Sequence, residues 1–387
     1  MINFDGFSDI ARGLTTDNSI SYSPNNTNRY DYEVLYNDSG MGKKIIDTLV
    51  GDMLRNSFYV EGDTENERIK YLQSLKFDYY LKKALTVSLV YGGSIIFVIY
   101  EDGKDPSEPV VNKEKIKGFR VFSSEELQID KPNDDIYSED YGEPEIFRVN
   151  QTNIHISRCM VFKGEEIMSI NHRSDRDKFF GNSFLRPLVN TILEYEMVIV
   201  ALGHVIKKMN MQVLKTTNLA GQLTSKDGNE RVRERLKLFN MNKSIANTIL
   251  VDMNEEEVHT LNSSSAGLDK YIEKIQENLS SVSGIPLSIL MGKQLTGLNS
   301  SGQGEIRIYY DRIKYKQETL LKPALTKVID GNIIFNSLWQ MSDMEKTELK
   351  KIQADIDQIY YDLGVYSEED IAKSRFGGDV YSTETEL

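Results

Sequence analysis

The chain is predicted to adopt an α+β fold on three observations. Segments with apolar residues at helical spacing recur before residue 92 and after residue 182 of the 387 positions. A central region near residues 93–164 switches to alternating or continuous apolar strands. Hydrophobic residues make up 40% and charged residues 27%. That balance supports a sizeable core, and the length suits two or three domains.

The elements follow in order. Residues 1–30 are rich in Asn, Ser and Thr and read as a mobile arm. Residues 31–56 place Ile45, Leu49, Met53 and Leu54 at helical spacing, and "FYVEG" follows as a short strand. Residues 64–91 read as one or two helices through Tyr71, Leu72, Leu75, Leu81, Leu85 and Leu89. "YGGSIIFVIYEDGK" then becomes a strand, with a Gly-Gly break before it and an Asp102-Gly103 turn after it. "GFRVFSSEELQI", "PEIFRVN" and "IHISRCMVFKG" are further strands, so 31–181 forms a mixed α+β unit.

Residues 182–210 read as a single helix of about 40 Å, with Pro187 in its first turns, where proline is tolerated. Within 211–262 come the strand "MQVLKTT", the charged helix "NERVRERLKLFNMN" and the strands "NTILVDM" and "EEVHTLN". A second helix spans 266–284 and ends at Gly284 and Pro286. "MGKQLTGLNSSGQGE" then reads as a mobile loop. A helix begins near Glu305, with its stripe at Ile306, Tyr310, Ile313, Leu320, Ala324 and Val328. That stripe skips the step at Gln317, and Pro323 inside it predicts a kink. "NIIFNSLW", the charged helix "DMEKTELKKIQADIDQIYYDL", "YSEEDIAKSRFG" and a mobile tail complete the chain.

Bulk properties exclude several classes. The formal net charge is −13, opposite to that of a free-standing DNA binder, whose affinity comes from neutralising phosphates. It leaves room for a surface past which DNA slides. Cys159 is the single cysteine, so neither an internal disulfide nor a cysteine zinc cluster is available. His155, His172, His204 and His259 form no H-x-x-x-H pair. "MINFDGFSDIARGL" lacks signal-peptide character. The apolar window at 197–206 is too short to span a bilayer. A soluble protein in a reducing compartment is expected, with no cofactor and no bound metal.

Candidate chemistry is thin. "SGMGKK" departs from a phosphate loop, because Asn37 and Lys44 hold positions that need Gly and Ser or Thr; a helix N-terminus explains it. "YGGS" fits a helix-to-strand turn. His155-Ile156-Ser157 has the H-x-S form of certain phosphodiesterases, but its one possible counterpart, His259-Thr260-Leu261, lacks the hydroxyl. His155 therefore reads as a structural strand residue, and His204 as a core or interface residue. Glu255-Glu256-Glu257, and Asp134-Asp135 with Glu139-Asp140, lack EF-hand spacing and read as solvated loops. Arg231, Arg233, Arg235 and Lys237 spread around a helix beside Glu230 and Glu234, either as a modest contact surface or as a solvated helix.

Five stretches in this order resemble tailed-phage portal proteins: "LYNDSGMGKKIIDTLVGDMLRNSF", "ALTVSLVYGGSIIFVIYEDG", "IHISRCMVFKGEEI", "FFGNSFLRPLVNTI" and "GIPLSILMGKQLTGLNSSGQGEIRIYYDRI". The resemblance covers roughly residues 30–340. It implies a portal fold: a mobile arm (1–30), a mixed α/β wing (31–181), a two-helix stem (182–210 and 263–284) and a small α/β clip (211–262). A tunnel loop (285–303), a long kinked wing helix (304–342) and a short helical crown with the C-terminal tail (343–387) follow. It also implies a ring, usually a dodecamer, at the capsid vertex of a virion, assembled in the host cytoplasm. Double-stranded DNA would pass through it without sequence specificity. Terminase large subunit, major capsid and scaffold proteins, and a head-tail adaptor would be its partners, with the clip carrying Arg231, Arg233, Arg235 and Lys237 as the dock.

In the tunnel loop, the resemblance places Lys293, Gln294, Thr296, Asn299, Ser300 and Ser301 toward DNA. Gly292, Gly297, Gly302 and Gly304 would be its hinges, and Pro323 the kink of the next helix. No catalytic residue is expected. The competing readings are a metal-dependent phosphodiesterase or nuclease built on His155 and an acidic cluster, and a monomeric virion adaptor.

Overall fold

A computed structural model of the chain describes residues 29–61, 67–130, 132–133, 135–138, 141–168, 174–209, 212–216, 230–234, 237, 256–260, 268–292, 301–339, 343–365 and 367–375. The helix expected over 31–56 is two helices, α1 (Arg29–Asp38) and α2 (Gly40–Leu54). Ser39 breaks them because its hydroxyl accepts from the Gly42 N–H at 2.9 Å and so caps α2. "SGMGKK" is thus a helix N-terminus. Behind the cap, Ile45, Ile46, Leu49, Val50 and Met53 turn inward.

Strand β1 (Phe58–Val60) leads to α3 (Glu67–Ser74) and α4 (Phe77–Tyr91). Next come β2 (Gly93–Tyr100), β3 (Ile116–Ser123), β4 (Leu127–Ile129), β5 (Ile146–Val149), β6 (Thr152–His155) and β7 (Cys159–Lys163). They form two antiparallel sheets, β3-β2-β7 and β4-β5-β6. "GFRVFSSEELQI" is therefore β3 and β4, split by a turn held by the Glu126 N–H bond to the Ser123 carbonyl. "IHISRCMVFKG" is split likewise by a 3-10 turn, Ile156–Arg158, which moves the chain from one sheet to the other.

Strand β2 explains the continuous apolar run. Its even-numbered side chains Ile96, Val98 and Tyr100 enter the main core with Met160 and Phe162 of β7. Ile95 enters a second core with Cys159, Phe147, Leu127, Phe179 and Phe180. Both faces of the strand are covered, so period-two alternation puts apolar residues on each. The second core is largely aromatic, with Phe179 and Phe180 rings 4.9 Å apart and Phe147 5.8 Å from Phe179.

Helix α5 (Asp175–Phe180) precedes α6 (Val189–Met209). The helix expected from residue 182 starts later, behind a 3-10 turn, Arg186–Leu188. Residues 182–184 are drawn instead onto the sheet and the α4 end: Asn182 bridges to Glu165, and the Phe184 N–H bonds the Leu89 carbonyl. Strands β8 (Gln212–Thr216) and β9 (Glu256–Thr260) pair antiparallel, and α7 (Leu268–Ser283) packs along α6. Strand "NTILVDM" lies outside the described residues.

Helices α8 (Leu287–Met291) and α9 (Ser301–Lys316) follow, then a π turn (Gln317–Leu321) and α10 (Lys322–Leu325). Strand β10 (Ile333–Phe335) returns to pair with β1. The last elements are α11 (Asp343–Asp362) and α12 (Glu368–Arg375).

Candidate functional site

Three of the five stretches quoted above meet at one junction. The α4 end turns at Gly92, whose φ of +82° is left-handed and whose N–H bonds the Ser88 carbonyl. The Gly164 N–H reaches the Gly92 and Phe180 carbonyls at 3.1 and 2.9 Å. Glu165 and Asn182 exchange backbone bonds at 3.0 and 2.8 Å, and the Ser183 hydroxyl donates to the Leu89 carbonyl at 3.1 Å. A Cβ on Gly164 would lie 2.4 Å from the Asn182 oxygen and 2.5 Å from that of Gly92. Only glycine permits so close a main-chain approach. The junction roots α6 in the α+β unit. Lys316 ties it to α9 through an ion pair to Glu165 at 2.8 Å.

From this root α6 and α7 run side by side. Ile192, Ile275 and Leu279 are buried around their contact. The Ser39 hydroxyl donates to Glu196 at 2.5 Å, fastening α6 to the start of α2. Ile199 and Val200 on α6, with Tyr271 and Val282 on α7, stay exposed. Among the described residues, no helix is long and apolar enough to cross a membrane.

The expected loop is anchored at both ends. Ile285 and Leu290 are fully buried, and the Ser280 hydroxyl donates to the Ile285 carbonyl at 2.6 Å. Helix α8 ends at Gly292, whose φ of +65° is left-handed. Lys293, Gln294, Thr296, Gly297, Asn299 and Ser300 lie outside the described residues. Ser301, Gly302 and Gly304, expected in the loop, belong to α9. No proline interrupts that segment, and the packing of Tyr309 and Ile313 stabilises a helix that extends back through it. Residues 287–291, also assigned to the loop, are helical.

The stripe of α9 differs from expectation for a related reason. Tyr309, Ile313, Gln317 and Leu321 are the buried positions, not Tyr310 and Leu320. The π turn adds a residue ahead of Pro323 and moves the buried position from 320 to 321, with the Lys322 N–H bonded back to the Gln317 carbonyl; the change from Tyr310 to Tyr309 lies upstream of it. Gln317, the skipped step, is 1% exposed and donates from Nε2 to the Met53 carbonyl at 2.8 Å, satisfying the end of α2. The Tyr309 hydroxyl donates to Asp52 at 2.7 Å, and burial with that carboxylate raises its pKa.

Arg231, Arg233 and Lys237 are exposed, with Glu230 and Glu234 beside the arginines; the Arg235 side chain lies outside the described residues. His155 is absorbed locally: its Nδ1 accepts from the Ser157 N–H at 3.1 Å and contacts the Ser157 hydroxyl at 2.8 Å. The side chains of His204 and His259, and residues His172, Asp134, Glu139, Asp140 and Glu255, lie outside the description. Among the described residues no group of three His, Cys, Asp or Glu is placed to hold a metal.

Sequence reasoning missed the Arg158–Asp102 pair. Their side chains are 3% and 1% exposed and bond at 2.7 Å, and Arg158 Nε also donates to the Glu108 carbonyl at 2.7 Å. The available signal was an arginine in "HISR", a strand-to-strand corner, facing the Asp102-Gly103 turn.

A family model described as phage portal protein matches residues 30–359. Among curated proteins, the anti-CBASS protein Acb1 of Sphingomonas paeninsulae is 24% identical, over 96% of this chain and 64% of that protein. The protein of the same name from Caulobacter sp. (strain RHG1) is 23% identical, over 92% and 62%. The chain thus spans just under two thirds of the length of these curated relatives. Among solved structures, a chain in the neck of an empty gene transfer agent particle, computed with C6 symmetry, has a TM-score of 0.53. It is 10% identical, over 94% of this chain and 97% of that one. A chain in the native particle's neck, computed with C12 symmetry, gives 0.52 at 10% identity over the same shares. These structural likenesses are of fold.

Proposed function

We propose, from the premise that this chain belongs to the phage portal protein family, that it is one subunit of a ring at the capsid vertex through which double-stranded DNA enters and leaves. The family is structural and not enzymatic, in keeping with the expectation that no residue is catalytic. The observation that carries the reading is the paired helices α6 and α7, which leave Ile199, Val200, Tyr271 and Val282 exposed. A closed cyclic ring buries such faces on neighbouring copies without leaving an open edge. The C12 neck of the gene transfer agent particle supports a dodecamer.

In this reading the paired helices are the stem and residues 211–262 the clip. The clip meets the terminase large subunit during packaging and a head-tail adaptor afterwards. Arg231, Arg233, Arg235 and Lys237 belong to that dock. Major capsid and scaffold proteins contact the rim, and the ring assembles in the host cytoplasm before residing in the virion. Residues 293–300 face DNA as the tunnel loop. The net charge of −13 favours a channel wall that does not hold phosphates, since strong phosphate attraction would stall a sliding duplex.

Electron microscopy of the concentrated protein tests this directly. End-on class averages should show a ring with a channel wide enough for duplex DNA. Monomers alone, in the presence of scaffold protein as well, would overturn it. Metal-dependent nuclease activity lost in His155→Ala would establish the enzyme reading instead.

A further inference from the structure

We propose that the cleft between α9 and residues 335–339 is the docking site of this chain's own N-terminal segment, Asp5 to Asp9, taken up in extended form. The proposal goes beyond the ring reading and does not depend on it. The cleft holds about 370 Å3, within the range that takes a ligand. Its floor is apolar. Phe335 and Leu338 are 7% and 5% exposed, and the Tyr310 and Trp339 rings meet edge-on at 6.5 Å. Its walls are fixed before anything binds. Arg55 lies over the Tyr310 ring at 5.0 Å and donates to the Leu338 carbonyl at 2.7 Å, and Asn56 Nδ2 donates to the Ser337 carbonyl. A preorganised cleft adds little ordering cost on binding.

Two cations select the occupant. Arg307 and Lys314 line the α9 wall two helical turns apart, about 10.5 Å along the axis, with Tyr310 between them. Both are exposed, and among the described residues neither has an ion-pair partner. The Arg307 guanidinium lies over the Trp339 ring at 4.8 Å. Asp311 lines the same wall without pairing to either cation. The wall therefore carries an excess of positive charge in a chain of net charge −13. It fits an apolar side chain flanked by two carboxylates.

The sequence holds one such segment with phenylalanine at its centre, "DGFSD" at residues 5–9. Alternate residues of an extended chain share a face, so Asp5, Phe7 and Asp9 point the same way. Asp5 and Asp9 are then about 13 Å apart, a spacing that the long Arg307 and Lys314 side chains can match. Tyrosine versions of the pattern, at 135–139 and 139–143, fall between β4 and β5, where Asp135 is already bonded to the Tyr137 N–H. Reach is sufficient. Helices α1 and α2, of 10 and 15 residues, together span about 38 Å, and Arg55 at the end of α2 already touches the cleft. The chain from residue 9 to residue 29 can extend to about 66 Å.

Trp339 is the single tryptophan and lines the cleft, so its fluorescence reads occupancy. In the unassembled full-length chain, acrylamide quenching of Trp339 should roughly double in Asp5→Lys/Phe7→Ala/Asp9→Lys. A synthetic peptide of residues 1–12 should return that variant to the wild-type value. Arg307→Asp/Lys314→Asp should also raise quenching, partly because Arg307 no longer covers the ring. Combined with Asp5→Lys/Asp9→Lys it should fall back toward wild type, which a purely local loss of the arginine would not allow. Unchanged quenching in the N-terminal variant, or no recovery in the charge-swapped chain, would overturn the proposal. Protection that disappears on diluting the wild-type chain would overturn it by placing a second copy in the cleft. Quenching raised instead by Asp379→Lys/Tyr381→Ala would overturn it by assigning the cleft to residues 376–387.

Discussion

Arg158 and Asp102 form a charged pair whose two side chains are both buried. Their pairing is buried, so removing one partner strands a charge or several carbonyl acceptors. Arg158→Met is expected to destabilise the chain by about 3–5 kcal/mol, and Arg158→Met with Asp102→Leu to recover much of that. Urea unfolding of both variants measures it. The Arg158 guanidinium holds the Asp102 carboxyl below its usual range despite burial. A depressed carboxylate pKa contributes stability present above the unfolded value, about pH 3.9, and lost as pH falls through the folded one. Wild-type stability should therefore fall more steeply below about pH 4 than that of the double variant. Residues of this kind are hard to read in sequence, because a buried arginine looks like any surface arginine until its partner is placed. Gln317 was half-legible: the skipped step in an otherwise regular stripe marked it, but not the Met53 carbonyl it bonds.

Among elements, legibility tracked whether the signal was local. The helix N-terminus at "SGMGKK", the Gly92 break and the β2 strand were readable, because each is set by its own neighbours. The start of α6 was not, since residues 182–184 give their backbone groups to Glu165, just past β7, and to the Leu89 carbonyl of α4. The phase of α9 was lost at the π turn, which shifts the inward face by one position after Gln317. The glycine junction gives the test at this scale. Gly164→Ala places a methyl against two main-chain oxygens, neither able to rotate away as a side chain could. Overpacking usually costs about 1–3 kcal/mol, and rigid neighbours put this case at or above the upper end. Gly51→Ala is the internal control: it is exposed within α2 with nothing within 4 Å, and should stabilise by about 1 kcal/mol. Thermal unfolding of the two variants should therefore move in opposite directions. Equal midpoints would mean that the junction yields.

For the whole molecule, the sequence shows which helices are amphipathic but not what covers them, because intersubunit burial leaves no separate mark in one chain. The loop between α8 and α9 shows the same limit. Its anchors are explicit: Ile285 and Leu290 plug one end, and the other is the first turn of α9. That placement changes which glycine tests the loop. Gly302 lies at the start of α9, where proline is tolerated, so Gly302→Pro would leave the loop's own backbone little altered. Gly297→Pro falls between the anchors and fixes φ near −65° while removing an N–H. If residues 293–300 must adapt to a duplex whose helical surface does not match the ring's symmetry, this variant should assemble normal rings yet package less DNA. Ring formation is judged by electron microscopy and packaged length by pulsed-field electrophoresis of DNA from purified heads. Full-length DNA in heads built on Gly297→Pro rings would show that the loop's backbone freedom is not used in packaging. Shortened DNA with Gly297→Pro and full-length DNA with Gly302→Pro would localise the requirement to the span between the two anchors.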